Sequence, residues 1–302
     1  MTVKRDLIKA VCVLMLGMMT ISGCSGKKAS NEVIYHNAAG NAGEAENAEK
    51  ADINGDGSED TVEYRVNTDE YDAGESLDVI INGKEHHLLD GYYFYPDAGL
   101  DCFWFMSDAD KECYLYIQYV SDNDYRDVAV YRYKDDETEY IADLGGAVKF
   151  GVYDDKDEIR EITFTDTKDF LVGKREQKFG TSFLTERCHI GENGCPEQTE
   201  KYLYYATGSD AEITADKDIP CMYLKDEKTE DGTPDMIEKG EKVIAYRTDG
   251  DTFIDLKVDG AEGLYRLYTV QDEEGNWMVT GSDGVGDKTL LTECFEGLLF
   301  AG

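Results

Sequence analysis

From residue 60 onward, apolar residues recur at every second position in short runs, which is the period of a half-buried β-strand. Val62, Tyr64 and Val66 alternate with polar neighbours, and Leu77 to Ile81 follows, closed by Asn82-Gly83. That dipeptide suits a type I′ turn, so a hairpin is expected there. Phe103-Trp-Phe-Met106 and Tyr114-Leu-Tyr-Ile-Gln-Tyr-Val120 read as buried strands. Val128-Ala-Val-Tyr131, Glu139-Tyr-Ile141, Ile162-Thr-Phe164 and Tyr202-Leu-Tyr-Tyr205 continue the series. No comparable stretch carries a 3.6-residue period, so the expected class is all-β.

Acidic turns punctuate these strands at intervals of roughly fifty residues, a period typical of stacked β units. Asp56-Gly-Ser-Glu-Asp60, Asp108-Ala-Asp-Lys-Glu112 and Asp154-Asp-Lys-Asp-Glu158 each precede a strand. The layout resembles bacterial surface proteins of the FG-GAP or VCBS type, whose Asp-x-Asn-x-Asp-Gly repeats form propeller blades. The resemblance implies an antiparallel β-repeat domain over 52–208, built as a degenerate propeller or a sandwich. Further on, Ile237-Glu-Lys-Gly-Glu-Lys-Val243, Thr252 to Val258, Asp259-Gly260 and Gly263 to Val270 follow one another. This order resembles a bacterial SH3-like barrel over 209–302. Phe253 stands where that family usually has Trp.

The N-terminus alters the picture of location. Lys4 and Arg5 precede an apolar stretch from Ala10 to Met19, too short for a typical membrane span. Residues 1–23 therefore read as a signal peptide. Ile21-Ser22-Gly23-Cys24 resembles the lipobox of bacterial lipoproteins. The resemblance implies that Cys24 receives a thioether-linked diacylglycerol and becomes the mature N-terminus, anchored in the cell membrane on the extracytoplasmic side. Two acyl chains make a stable anchor without a spanning helix. Residues 24–51 are small and polar, and are expected to form a flexible tether.

The loop Asp52-Ile-Asn-Gly-Asp-Gly-Ser-Glu-Asp60 carries the sharpest candidate chemistry. Oxygen-bearing residues fall at alternate positions, and Gly55 and Gly57 let them converge, as a hard cation such as Ca²⁺ requires. In the spacing of an EF-hand loop the ligands are Asp52, Asn54, Asp56, Ser58 (through its carbonyl), Asp60 and Glu63. The strand-like residues that follow, and the missing apolar helix before them, make this an EF-hand-like turn on a β scaffold. One structural Ca²⁺ is expected, neutralising clustered acids and fixing the first strand. An Asn-Gly/Asp-Gly turn without metal is the alternative.

Composition narrows the partners. The formal net charge is −35 and the pI is about 4.3. Such an exterior excludes nucleic acid and charge-driven binding to anionic lipid. Twenty-one Tyr and 11 Phe supply a core and candidate sugar-stacking faces. Once Cys12 has left with the signal and Cys24 is lipidated, six cysteines remain: Cys102, Cys113, Cys188, Cys195, Cys221 and Cys294. An even count outside the cytoplasm permits disulfides. Cys188–Cys195 is the favoured pair, with Cys102–Cys113 and Cys221–Cys294 natural by domain. Cys188, His189 and Cys195 as metal ligands is the weaker alternative. His86 and His87 occupy opposite-facing strand positions and cannot serve one site. No catalytic constellation stands out. The expected function is a non-enzymatic binding or adhesion module at the cell envelope, engaging cell-wall glycan or a surface protein. A solute-binding or accessory component of an envelope complex comes second, and a glycan hydrolase third.

Overall fold

A computed structural model describes residues 32–39, 49–122, 126–145, 148–150, 152–153, 159–161, 163–206, 213–281 and 286–300 of the chain. These residues are almost entirely β, in antiparallel sheets. β1 (Ile34–Asn37) comes first, followed by β2 (Glu49–Ala51), β3 (Asp60–Thr68), β4 (Gly74–Ile81) and β5 (Lys84–Leu88). β2 to β5 form a four-stranded meander in chain order. β6 (Leu100–Met106), β7 (Cys113–Val120), β8 (Arg126–Lys134) and β9 (Glu137–Asp143) form the next one, and β1 adds to its β6 edge. The turn between β4 and β5 has both central residues left-handed, Asn82 at φ 51° and Gly83 at φ 83°, as a type I′ turn requires.

The uninterrupted apolar runs have a simple cause: the second meander is the middle layer, buried on both faces. Cys102, Trp104, Leu115, Ile117, Ala129 and Tyr131 point into a core shared with Val62, Tyr64, Leu77 and Val79 of the first meander. Their alternate neighbours Phe103, Phe105, Tyr114, Tyr116, Val128 and Val130 point the other way, into an aromatic core with Phe150, Phe164, Phe170 and Val172. Alternation is intact, but both of its phases are apolar. Trp104 anchors the first interface, fully buried with its indole N–H donating to the Tyr64 hydroxyl at 2.8 Å. The first two acidic turns sit at equivalent places, 52–59 between β2 and β3 and 107–112 between β6 and β7. The third, 154–158, lies outside the described residues.

Beyond the meanders the chain continues through β10 (Val148–Lys149), β11 (Val152–Tyr153), β12 (Ile159–Glu161), β13 (Phe170–Glu176), β14 (Ser182–Ile190), β15 (Pro196–Gln198) and β16 (Leu203–Tyr205). It ends in β17 (Ile213–Ala215), β18 (Ile219–Leu224), β19 (Thr233–Ile237), β20 (Lys242–Thr248), β21 (Phe253–Val258), β22 (Leu264–Gln271), β23 (Trp277–Val279), β24 (Thr289–Leu290), the single helical turn α1 (Leu291–Cys294) and β25 (Phe295–Glu296). The hydrogen-bonded path runs β10-β13-β14-β16-β20-β21-β22-β18-β19 and does not close, so the small barrel expected over 209–302 is an open, branched sheet among the described residues. β16 lies between β14 and β20, so one sheet carries strands from both sides of residue 208.

Two further expectations are corrected. Within the stretch read as a tether, β1 pairs with β6 from Ile34↔Trp104 to Asn37↔Asp101, and β2 pairs with β3. The short run Val33-Ile34-Tyr35 is too brief to announce a strand alone; it becomes one by completing the open β6 edge. The six described cysteines are all free thiols. Cys102 stands opposite Ile117 and Cys113 opposite Met106, four positions apart along the ladder. That is about 13 Å, against the 7 Å ceiling for a disulfide. Cys188 stands opposite Gln198, three positions beyond Cys195. Cys221 and Cys294 share the C-terminal core without bonding. Burial pushes the Cys188 and Cys221 thiols up to about 12, so little thiolate forms at neutral pH.

Candidate functional site

β2 ends at Ala51 and β3 begins at Asp60, and the eight residues between them close on themselves through their own side chains. Asn54 Oδ1 accepts from the Asp56 amide at 2.9 Å, and Asp56 Oδ1 accepts from the Ser58 amide at 2.7 Å. Asp52 Oδ2 reaches across to the Gly57 amide at 3.0 Å. The left-handed backbone at Gly55 (φ 74°) and Gly57 (φ 91°) makes this curl accessible. The two carboxylates, Asp52 and Asp56, thus each spend one oxygen orienting the loop and keep the other, while Asn54 uses its single oxygen. Asp52 Oδ1 is buried and has no hydrogen-bond partner. A buried carboxylate oxygen without a donor is costly unless a cation faces it.

Asp60 and Glu63 do not belong to this set in the same way. Asp60 is buried at 4% exposure; its Oδ2 accepts from the Ile53 amide at 3.3 Å and its Oδ1 from Asn82 Nδ2 at 2.8 Å. It ties the loop to the β4–β5 turn. Glu63 lies three residues further along β3, and odd spacing in a strand sends it to the opposite face from Asp60, Val62 and Tyr64. Its place as the sixth ligand is therefore corrected: the EF-hand count assumes a helix after the loop, and a strand turns that side chain away. Among the described residues no three Asp, Glu, His or Cys side chains converge as a ligand group. The donor set on offer is mixed: Asp52 and Asp56 carboxylates, the Asn54 amide oxygen and the Ser58 carbonyl. Hard oxygens of that kind fit Ca²⁺ rather than a soft transition metal. An ion bound there would supply charge neutralisation.

The loop also reaches the second meander. Ile53 is a core residue at 2% exposure, and its carbonyl accepts from the Cys113 thiol at 3.0 Å, at the start of β7. Whatever orders 52–58 therefore steadies the contact between two sheets.

The histidines separate as expected. His86 is buried edge-on against the Tyr133 ring, while His87 is exposed and bonds Asp78 Oδ1 through Nδ1 at 2.6 Å. Burial alone would raise the Asp78 carboxyl, but hydrogen bonds from His87, Asn67 and Arg65 outweigh it and hold it below its ordinary range. The same bond raises His87, and burial lowers His86. A depressed imidazole stabilises the fold above its unfolded value near 6.5 and loses that contribution as pH falls towards its folded value. His86→Phe is expected to narrow the loss of stability between pH 7 and pH 5, read as the variant-minus-native difference in urea midpoint at each pH. A difference flat with pH would contradict the assignment.

Cys188 faces the aromatic core and His189, its neighbour along β14, faces the other side, so Cys188, His189 and Cys195 are not brought together. His189 instead borders an open cleft of about 480 Å³, lined by Asp108, Thr167, Lys168, Gly191 and Glu197 among others. Lys168 and Lys111 pair with Asp108 at 3.0 and 2.9 Å, and hold its carboxyl below the ordinary range. His189 Nε2 lies 3.6 Å from Glu197, and the buried Thr167 hydroxyl and His189 Nδ1 have no hydrogen-bond partner. This cleft was not legible in the sequence, because its residues come from three separate turns.

Exposed aromatic surface occurs where β5 leads into β6. Tyr93 and Tyr95 are 45% and 39% exposed, with ring centroids 5.5 Å apart at 84°. The Tyr95 hydroxyl donates to Asp122 at 2.9 Å, and that bond is the main cause that pushes it up to about 12. Phe253 is closed off: it is 5% exposed, with the Arg266 guanidinium 3.7 Å above its ring. Cys24, expected to carry lipid, lies outside the described residues. No family model, curated protein or solved structure matches the chain.

Proposed function

We propose that the chain is a lipid-anchored, extracytoplasmic binding module without enzymatic activity, whose first sheet is braced by one Ca²⁺ in the 52–58 loop. The observation that carries the metal assignment is the unpartnered, buried Asp52 Oδ1 inside a ring of side chains already oriented by backbone amides. Lipidation of Cys24 rests on the sequence Ile21-Ser22-Gly23-Cys24 behind a short apolar stretch. The binding face is best supported at Tyr93 and Tyr95, where two rings stand free of the core beside the Asp122 carboxylate. Rings of this kind stack on the apolar faces of sugars while carboxylates accept their hydroxyls, so the partner proposed is cell-wall glycan. A second reading, solute capture or service in an envelope complex, is favoured by the open cleft beside His189 and Lys168.

The test is a fractionation followed by a glycan and peptidoglycan binding screen. Cys24→Ala is expected to release the protein from membranes; continued retention would remove the lipid anchor from this reading. Tyr93→Ala with Tyr95→Ala is expected to weaken glycan binding roughly tenfold, the equivalent of about 1.4 kcal/mol, with the melting temperature unchanged. Undiminished binding in the double variant would move the site elsewhere.

A further inference from the structure

The chain is fastened to the folded body far earlier than its polar N-terminal composition implies. Glu32 bridges Asp166, and the Val33 amide donates to the Thr165 carbonyl at 3.2 Å. β1 then pairs with β6 from Trp104 to Asp101, and the Ala38 amide donates to the Leu100 carbonyl at 2.8 Å. Side chains lock the strand as well. Tyr35 and Asn37 both bond Asp101, at 2.7 and 3.2 Å, and Val33, His36 and Ala38 are buried. Only eight peptide units separate Cys24 from Glu32. Whatever path they take, they span at most about 28 Å, and as a flexible coil about 16 Å.

A compact body of this chain length has a radius near 24 Å, so reaching its far side means travelling roughly 75 Å around it. The leash cannot do that. We propose that it holds the protein close against the bilayer and keeps the far side turned away from the lipid, so that the side bearing Glu32 and the turn from Thr165 to Lys168 is the one presented to the membrane. Thr167 and Lys168 also line the cleft beside His189, so that cleft lies on the same side of the protein as its tethered end. This inference rests on the lipid-anchor reading of Cys24.

The test uses the full, lipidated chain in vesicles whose headgroups carry an energy-transfer acceptor. A donor is placed at Lys168 through a genetically encoded azide residue. Three proteins are compared: the native leash, a 20-residue Gly/Ser insertion between Lys28 and Ala29, and Tyr35→Pro with His36→Pro, which takes two amides out of β1 and is expected to unpair it from β6. The mean leash length roughly doubles in the insertion protein. Efficient transfer is expected with the native leash, falling at least twofold in the other two. Equal transfer in the native and insertion proteins, both floating with the vesicles, would overturn the orientation. The insertion alone decides the matter if the proline variant fails to fold. Failure of the native protein to float, or flotation of Cys24→Ala, would instead remove the anchor and the proposal with it.

Discussion

Asp255→Ala is expected to destabilise the protein by about 3–5 kcal/mol, enough to leave much of it unfolded at 37 °C. Arg247 on β20, Asp255 on β21 and Arg266 on β22 stand side by side in the ladder. They are 1%, 0% and 5% exposed. Arg247 Nε donates to Asp255 Oδ2 at 2.7 Å, and Arg266 donates through Nε and Nη2 to both carboxylate oxygens at 2.7 and 2.9 Å. The charge excess of two guanidiniums over one carboxylate is met by softer partners. Arg247 Nη1 donates to the Glu227 carbonyl at 2.7 Å, and the guanidiniums lie 3.9 and 3.7 Å above the Tyr202 and Phe253 rings. Arg247 Nη2 is buried without a partner, so the cluster has nothing to spare. Removing Asp255 leaves two buried cations, and arginine cannot escape by losing its proton. Arg247→Met, Asp255→Leu and Arg266→Met together are expected to recover most of the loss, because desolvation is then no longer required. Urea unfolding of the single and triple variants decides it. A single variant within 1 kcal/mol of the native protein would mean that water reaches the cluster.

That cluster marks the limit of what the strand pattern could say. Thr252 to Val258 reads as an alternating strand, and β21 forms there. Alternation alone would leave Asp255 facing solvent with Phe253 and Lys257. Only the sheet shows that Arg247, Arg266 and Tyr202 cover that face. Local signals did well where their cause is local. The Asn82-Gly83 turn, the β strands and the equivalent acidic turns of the two meanders all follow from backbone preference and side-chain period. Signals that depend on distant pairing did not. Cys102 and Cys113 are near in sequence and sit on paired strands, yet the register separates them. β1 needed the free edge of β6 before three apolar residues could become a strand. The cleft at Thr167 and His189 needed three turns to meet. Within the 52–58 loop, spacing anticipated a turn curled on Asp52, Asn54 and Asp56, because the bonds that close it run to amides only two to five residues away. It misplaced Glu63, because a ligand three residues beyond Asp60 depends on whether a helix or a strand follows.

The difference between Asp60 and Glu63 turns the calcium reading into a pattern of results. The native protein is expected to melt roughly 5–10 °C higher in excess Ca²⁺ than in EDTA. The donor set lacks the bidentate glutamate of a tight site, which points to a dissociation constant on the order of 10⁻⁴–10⁻³ M. At one hundred times that concentration the bound state gains about 2.7 kcal/mol, and each kcal/mol moves the midpoint of a protein this size by about 2–4 °C. Asp56→Ala is expected to erase the difference while leaving the EDTA midpoint within about 2 °C of the native one, because its carboxylate holds only an exposed amide of the loop. Asp60→Ala is expected to lower both midpoints together, since its oxygens hold Ile53 and Asn82 whether or not an ion is present. Glu63→Ala is expected to change neither, because β3 points it away from the loop. Differential scanning fluorimetry of the four proteins with and without Ca²⁺ reads the whole pattern. Equal melting of the native protein in Ca²⁺ and EDTA would remove the ion from the loop. Loss of the calcium difference in Glu63→Ala would restore the EF-hand register and require the first turn of β3 to rearrange around the metal.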